Sequence, residues 1–269
     1  MLLQLRYFLV AVQFFTRIPI TGALAKWMGF ETSWISRCTR FFPLIGLLLG
    51  IALGVLFKAL HLVFDQTISV ILTTIIGILA TGAFHEDGFA DFCDGFGGGQ
   101  TPERIITIMR DSRVGAYGAI AIALMLITKI QLLASLDPLW VGAALVVGHS
   151  ASRGFAVLIM MLLPYVETSA GNKLDSCSAV KPVAAGLQIG DWVPALVFGF
   201  GPAIAVAWMT DSWLAMICGL LFSAAISAWM FWTLRRRLGG YTGDTLGATQ
   251  QLSEVFFYLG CLANGAAYL

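Results

Sequence analysis

Four of the fifteen acidic residues of this chain fall within nine positions. They are Glu86, Asp87, Asp91 and Asp94, in a stretch from Phe84 to Gly99 that reads F-H-E-D-G-F-A-D-F-C-D-G-F-G-G-G. Asp87, Asp91 and Asp94 are spaced i, i+4, i+7, which puts them on one face of a helix of 3.6 residues per turn. Carboxylates gathered that closely repel one another unless a cation lies between them. A hard divalent ion meets that need, and Mg²⁺ suits oxygen ligands completed by water and phosphate. Glu86 is a further candidate ligand. The alternative is a solvated acidic cap at the end of a membrane helix. The accompanying glycines and further polar blocks favour the metal.

Three such blocks follow. Arg110-Asp111-Ser112-Arg113-Val114-Gly115-Ala116-Tyr117-Gly118 offers two guanidinium groups beside the acids, and guanidinium forks match phosphate oxygens. The bland reading is membrane flanking plus an Asp111–Arg113 surface pair. His149 and Arg153 lie inside an apolar run, one helical turn apart. An arginine there faces the bundle interior and needs a partner, either substrate phosphate or a carboxylate. Gly239-Gly240-Tyr241-Thr242-Gly243-Asp244-Thr245-Leu246-Gly247-Ala248 supplies Asp244 as another possible ligand, and Thr242 for phosphate. An ordinary capped glycine turn is its alternative. Before the second block, Thr101 and Pro102 read as the start of a short helix. Lys173, in the polar segment Pro164–Asp191, is available to phosphate.

The elements that must position these residues are membrane helices. The chain is 58% apolar and 12% charged, with mean hydropathy +0.85, whereas soluble domains carry about 25% charged residues. A span needs about 20 apolar residues. Seven stretches qualify: Phe41–Leu60, Thr67–Phe84, Gly115–Leu136, Leu139–Leu163, Val193–Thr210, Trp213–Leu234 and Ala248–Tyr268. Leu2–Phe15 is shorter and reads as an interfacial segment or an eighth span, and Met1–Ile20 has no cleavable-signal pattern. The expected fold is therefore all-α, a polytopic transmembrane bundle in one domain. Gly46, Gly50 and Gly54 form a small-x-x-x-small series for close helix approach.

Alternating connections divide the charges. One set holds eleven of the sixteen Lys and Arg, and the other holds none, only Asp65, Asp137 and Asp211. Basic loops stay in the cytoplasm, so the acids face the cytoplasm. A net charge of +1 implies no nucleic-acid partner. Five separated cysteines suggest neither disulfides nor zinc.

Taken together, H-E-D-G-F-A-D-F-C-D-G, R-D-S-R-V-G-A-Y-G and G-G-Y-T-G-D-T-L-G-A resemble the cobalamin synthases, the adenosylcobinamide-GDP ribazoletransferase family, over nearly the whole chain. The resemblance implies that α-ribazole or its 5′-phosphate attacks the phosphate attached to cobinamide. GMP is released, and adenosylcobalamin or its 5′-phosphate forms. It also implies Mg²⁺ dependence and a place in the inner (cytoplasmic) membrane. The family pattern matches Asp87, Asp91, Asp94, Asp111, Arg113 and Asp244; the family often has a less acidic residue at Glu86. In this reading Asp87, Asp91, Asp94 and Asp244 hold Mg²⁺, and Arg113, with Arg153, clamps phosphate. His85 or a carboxylate takes the proton from the attacking ribose hydroxyl; on a helix, His85 points away from the Asp face.

Competing readings are a secondary transporter using His149–Arg153, a CDP-alcohol phosphotransferase and a scaffold of a corrinoid-assembly complex. The transporter requires acids at the bilayer midplane. In the D-G-x-x-A signature of the phosphotransferases, Asp91 replaces the following arginine. A homo-oligomer stays open.

Overall fold

The computed structural model describes residues 2–31, 33–166 and 189–263. Among these the chain is a helical assembly without strands, apart from one isolated bridge between Tyr165 and Tyr241. In chain order the helices are α1 (Leu2–Phe15), α2 (Gly22–Met28), α3 (Ser33–Cys38), α4 (Phe42–His61), α5 (Gln66–Thr81) and α6 (Phe84–Gly98). There follow α7 (Pro102–Met109), α8 (Ala116–Ala134), α9 (Pro138–Leu162), α10 (Ile189–Thr210), α11 (Trp213–Arg237) and α12 (Gly243–Ala263). The all-α polytopic expectation holds.

Five helical stretches are long and apolar enough to cross a membrane: Trp34–His61, Ala116–Ala134, Pro138–Leu162, Gly190–Thr210 and Trp213–Arg237. Two of the seven expected spans are built differently. The first, α5, satisfies the span criterion only together with α6, and the two meet at 88°. The pair therefore forms either one broken span or a re-entrant loop, with α6 turned sharply off the α5 axis. The second, expected at Ala248–Tyr268, belongs to α12, which begins five residues earlier; residues 264–269 lie outside the described ones. α12 is not among the apolar five because it carries Thr249, Gln250, Gln251, Ser253 and Glu254, all buried. It packs against α6, α8, α9 and α11, so protein surrounds these groups. At 14 residues, or about 21 Å, α1 is too short to cross alone.

The corner between α5 and α6 has a backbone cause. Asp65 starts α5 by accepting from the Ile68 N–H at 3.0 Å. At the other end Gly82 (φ 70°) and Ala83 (φ 58°) are both left-handed. Gly82 adopts this freely, but Ala83 does so against its Cβ, at about 1–2 kcal/mol. Two left-handed residues in succession turn the chain sharply enough to begin α6 on a new axis.

Close packing then fixes the neighbours. Gly46, Gly50 and Gly54 lie directly on the α9 backbone. A Cβ on Gly50 would stand 2.6 Å from the Leu145 carbonyl, and one on Gly54 3.2 Å from that of Gly142. This glycine face seats α4 on α9, as the spacing predicts, and carries His149 and Arg153 into the interior. Gly88 makes the corresponding contact between α6 and α12, since a Cβ there would lie 2.9 Å from the Asp244 Cα.

Apart from His149 and Arg153, the polar blocks meet at one end of the bundle. Arg237, at the end of α11, donates to the carbonyls of Phe96 (2.9 Å) and Gly99 (2.7 Å), which close α6. Pro164 accepts from the Tyr241 N–H at 2.9 Å, joining the end of α9 to the turn before α12. Thr101 caps α7, as expected, accepting from the Arg104 N–H at 3.3 Å. That helix tucks Ile105 and Met109 beneath α6 and leaves Arg104 exposed.

Candidate active site

Asp87 and Asp91 lie on the outward face of α6, one exposed and one half-buried. Asp244 stands in the first turn of α12, and the Gly88 contact holds the two helices together there. The three are near enough for their charges to act on one another. Burial first, then the charges of Asp244, Asp87 and Asp94, push the Asp91 carboxyl from 3.8 up to about 7. Burial and Asp87 raise Asp244 to about 6. Among the described residues no Lys, Arg or His forms an ion pair with any of the three. Nor do the described side chains form a ready-made group of three or more His, Cys, Asp or Glu converging on one metal position. The donor set still suits a hard cation. It is all oxygen, negatively charged, partly open, and destabilised by its own repulsion.

Asp94, expected on the same site, is engaged elsewhere. One of its oxygens accepts from the Gly115 N–H at 2.7 Å and the other from the Gly118 N–H at 2.8 Å. It anchors the N-terminus of α8, where a carboxylate satisfies both orphan amides and the helix dipole. Asp87 and Asp94 share a helix face, but seven residues separate them by about 10.5 Å along the axis. That is too far for one small ion.

Other expected residues divide similarly. Glu86 turns inward and accepts from Gln251 Nε2 at 2.9 Å, leaving Oε2 without a partner. His85 also turns inward, buried, stacked on Phe42 at 5.5 Å, with both nitrogens unpaired. This agrees with the helical prediction that it leaves the Asp face, and removes it as the base on that face. Thr242 is buried, and its hydroxyl faces the Thr245 N–H at 3.4 Å, while Thr245 Oγ1 accepts from the Thr242 N–H at 2.9 Å. This reciprocal cap starts α12 and occupies the hydroxyl intended for phosphate.

Arg113 forks onto Asp111 (Nε–Oδ1 2.9 Å, Nη2–Oδ2 2.6 Å) at the exposed surface. The hydrogen bonds to Arg113 hold the Asp111 carboxyl down at about 2. The surface-pair alternative therefore describes the geometry, and its guanidinium stays accessible. Arg110 is exposed nearby. Lys173 lies outside the described residues.

His149 and Arg153 are not at the open face. Arg153 Nη1 donates to the His149 carbonyl at 2.9 Å and lies 3.2 Å from its Nδ1. Both belong to a buried cluster centred on Glu254. Lys129 Nζ reaches Glu254 Oε1 at 2.5 Å, Tyr258 donates to Oε1 at 3.0 Å, and Gln250 donates to Oε2 at 2.6 Å. His149 Nδ1 lies 3.4 Å from Oε2. Of the two partners left open for Arg153, the interior supplies carboxylate charge, first from Glu254 of α12 and then from Glu86 of the acidic stretch. Lys129 is the residue that sequence reasoning missed, and Glu254 stands out in the sequence only as part of the polar run that follows Ala248. The available signal was two lone charges of opposite sign in helical runs, each needing a partner away from water.

A helical membrane protein with mutually repelling carboxylates at one end of α6 and the start of α12 is thus the class that fold and site define. Sequence comparison carries this further: the chain matches the cobalamin-5-phosphate synthase family over residues 7–262 and belongs to that family. It is 38% identical over 276 residues to the adenosylcobinamide-GDP ribazoletransferase of Polaromonas sp. (strain JS666 / ATCC BAA-500), covering 95% of each chain. The enzyme of the same name from Albidiferax ferrireducens is 39% identical over 278 residues, 95% of this chain and 97% of that one. That of Shewanella frigidimarina is 39% identical over 270 residues, 97% and 96%. No solved structure matches the chain significantly.

Proposed function

We propose that the chain joins adenosylcobinamide-GDP to α-ribazole or α-ribazole 5′-phosphate, releasing GMP, by Mg²⁺-assisted phosphoryl transfer at Asp87, Asp91 and Asp244. The observation that carries the site assignment is this trio of carboxylates, drawn from two helices, coupled through their charges and paired with no basic side chain among the described residues. Whole-length likeness to ribazoletransferases supplies the substrates.

In the reaction a ribose hydroxyl oxygen forms a bond to the phosphorus attached to cobinamide. The bond from that phosphorus to the bridging oxygen breaks, and the oxygen leaves with GMP. Bound Mg²⁺ supplies charge neutralisation on the diphosphate and the leaving group. Asp87, Asp91 and Asp244 would hold it, and the N-terminus of α12 adds its positive end to the same place. With His85 turned away, a carboxylate on the open face accepts the hydroxyl proton. Arg113 is placed to exchange Asp111 for a phosphate oxygen. The excess of Lys and Arg in the loops at this end supports a site facing the cytoplasm from the inner membrane.

Purified protein incubated with adenosylcobinamide-GDP, α-ribazole and Mg²⁺ should release GMP, and chelation should stop it. GMP-free incubations, with turnover of CDP-diacylglycerol instead, would overturn this function.

A further inference from the structure

The turn that presents Asp244 has a second side. Behind Gly243 and Gly247 lies a cavity walled by Phe15, Phe42, Phe84, His85, Tyr165 and Tyr241. Three of these rings form a near-parallel series: Phe15 on Phe42 at 4.3 Å and 26°, then Phe42 on His85 at 5.5 Å and 22°. Phe84 meets His85 edge-on at 5.4 Å, and Tyr165 meets Tyr241 edge-on at 5.7 Å. The exposed lining is almost wholly apolar. Clear space is about 40 Å³, within about 500 Å³ of non-atom volume that includes the open mouth. Both ring nitrogens of His85, which is buried in this wall, lack a hydrogen-bond partner.

We propose that this cavity is the subsite for the flat aromatic base of the nucleoside acceptor, which places its ribose across Gly243 towards Asp244 and Asp87. The proposal rests on the transferase reading above. Parallel and edge-on rings are the surroundings in which a planar base stacks well. The wall also discriminates between the two bases of the reaction. Guanine, on the donor, would bring an amine and a carbonyl into a lining with almost no polar partners, and buried polar groups without partners are disfavoured. A benzimidazole presents apolar faces and edges with one unsubstituted ring nitrogen, and so brings fewer polar atoms into that lining than guanine does. The clear space is narrower than a bicyclic ring, so the base enters by displacing the half-buried Tyr165 ring at the rim.

The test uses the full chain in nanodiscs, with the variants Met160→Trp and Leu246→Trp, which enlarge two lining side chains on different helices, α9 and α12. In equilibrium binding without Mg²⁺, α-ribazole should bind wild type about 10-fold or more tightly than guanosine, and either tryptophan should remove most of that preference. In turnover the same variants should raise KM for α-ribazole by about 10-fold, while KM for adenosylcobinamide-GDP moves less than about 2-fold. Equal binding of the two nucleosides to wild type overturns the proposal, even if both variants fail to fold. So does an unchanged α-ribazole KM, or a rise confined to the cobinamide substrate. Wild type that binds α-ribazole in this way yet releases no GMP would sink the transferase reading and leave the subsite standing.

Discussion

Two groups of acidic side chains in this molecule have opposite surroundings. Glu254 sits inside the bundle, and Lys129, Tyr258, Gln250 and His149 surround its two oxygens. Asp87, Asp91 and Asp244 sit at the bundle's end with no basic side chain paired to them among the described residues, and two of the three are held well above the usual carboxylate range. Glu254 has its counter-charge from within the chain, as a charge away from water must. The outer three are left to obtain theirs from solution. A fold that can bury and neutralise one carboxylate this thoroughly leaves three others unneutralised where a small ion and a diphosphate could reach them. The contrast separates a structural use of charge from a chemical one.

The comparison is sharpened by breaking each side of it. Asp87→Asn, Asp91→Asn and Asp244→Asn should each lower GMP release by about 100-fold or more, the scale on which transition-state charge stabilisation is lost. Their melting temperatures in the absence of Mg²⁺ should stay level or rise, because a repulsion has been removed; a steep loss of stability would make these acids structural. Glu254→Gln should do the reverse. Leaving Lys129 buried without its counter-charge costs about 3–5 kcal/mol, read as a lower melting temperature or lost expression. Pairing it with Lys129→Met should recover part of that loss, and no recovery would mean the two residues act independently.

A pH series distinguishes the two sides again. Asp91 and Asp244 have folded-state pKa values of about 7 and about 6, above the 3.8 of an ordinary aspartate. Between those values the folded chain holds more protons than the unfolded one, so these groups make stability fall as pH rises from about 4 to about 7. Mg²⁺ relieves that repulsion only once the groups are ionised. The rise in melting temperature on adding Mg²⁺ should therefore be larger near pH 8 than near pH 5, with about pH 6–7 as the crossover. A pH-independent rise would place the ion elsewhere.

Smaller effects follow at the margins. Asp94→Ala removes the cap from α8 and should cost about 1 kcal/mol, with turnover falling only as far as α6 shifts; a loss equal to that of Asp87→Asn would return Asp94 to the metal. Arg113→Ala, at an exposed pair, should leave the melting temperature unchanged and raise KM for adenosylcobinamide-GDP. An unchanged KM would remove Arg113 from substrate binding.

Much of this was legible in the chain because the signals were local. Helical spacing placed Asp87 and Asp91 together and turned His85 away. The glycines of α4 announced a close partner, and Thr101-Pro102 announced the start of α7. What escaped depended on distance. Asp94 shares a face with Asp87, but spacing alone did not show that the start of α8 reaches down to it. Lys129 and Glu254 are 125 positions apart, and nothing in either neighbourhood names the other. The polar character of α12 was visible in Gln250, Gln251 and Glu254, yet Ala248–Tyr268 as a whole read as an apolar span. Only its packing among four helices shows why those groups are tolerated. The left-handed Ala83 that bends α6 out of line has no sequence signature, since a residue with a Cβ is uncommon in that region of backbone space.

The most direct measurement is divalent-ion binding to the purified protein, with Mn²⁺ as a paramagnetic stand-in for Mg²⁺, in wild type and in a variant carrying Asp87→Asn, Asp91→Asn and Asp244→Asn. Saturable binding that Mg²⁺ displaces in wild type, and that disappears in the triple variant while the protein remains folded, is the expected result. Equal binding by both proteins would contradict the assignment of these three aspartates.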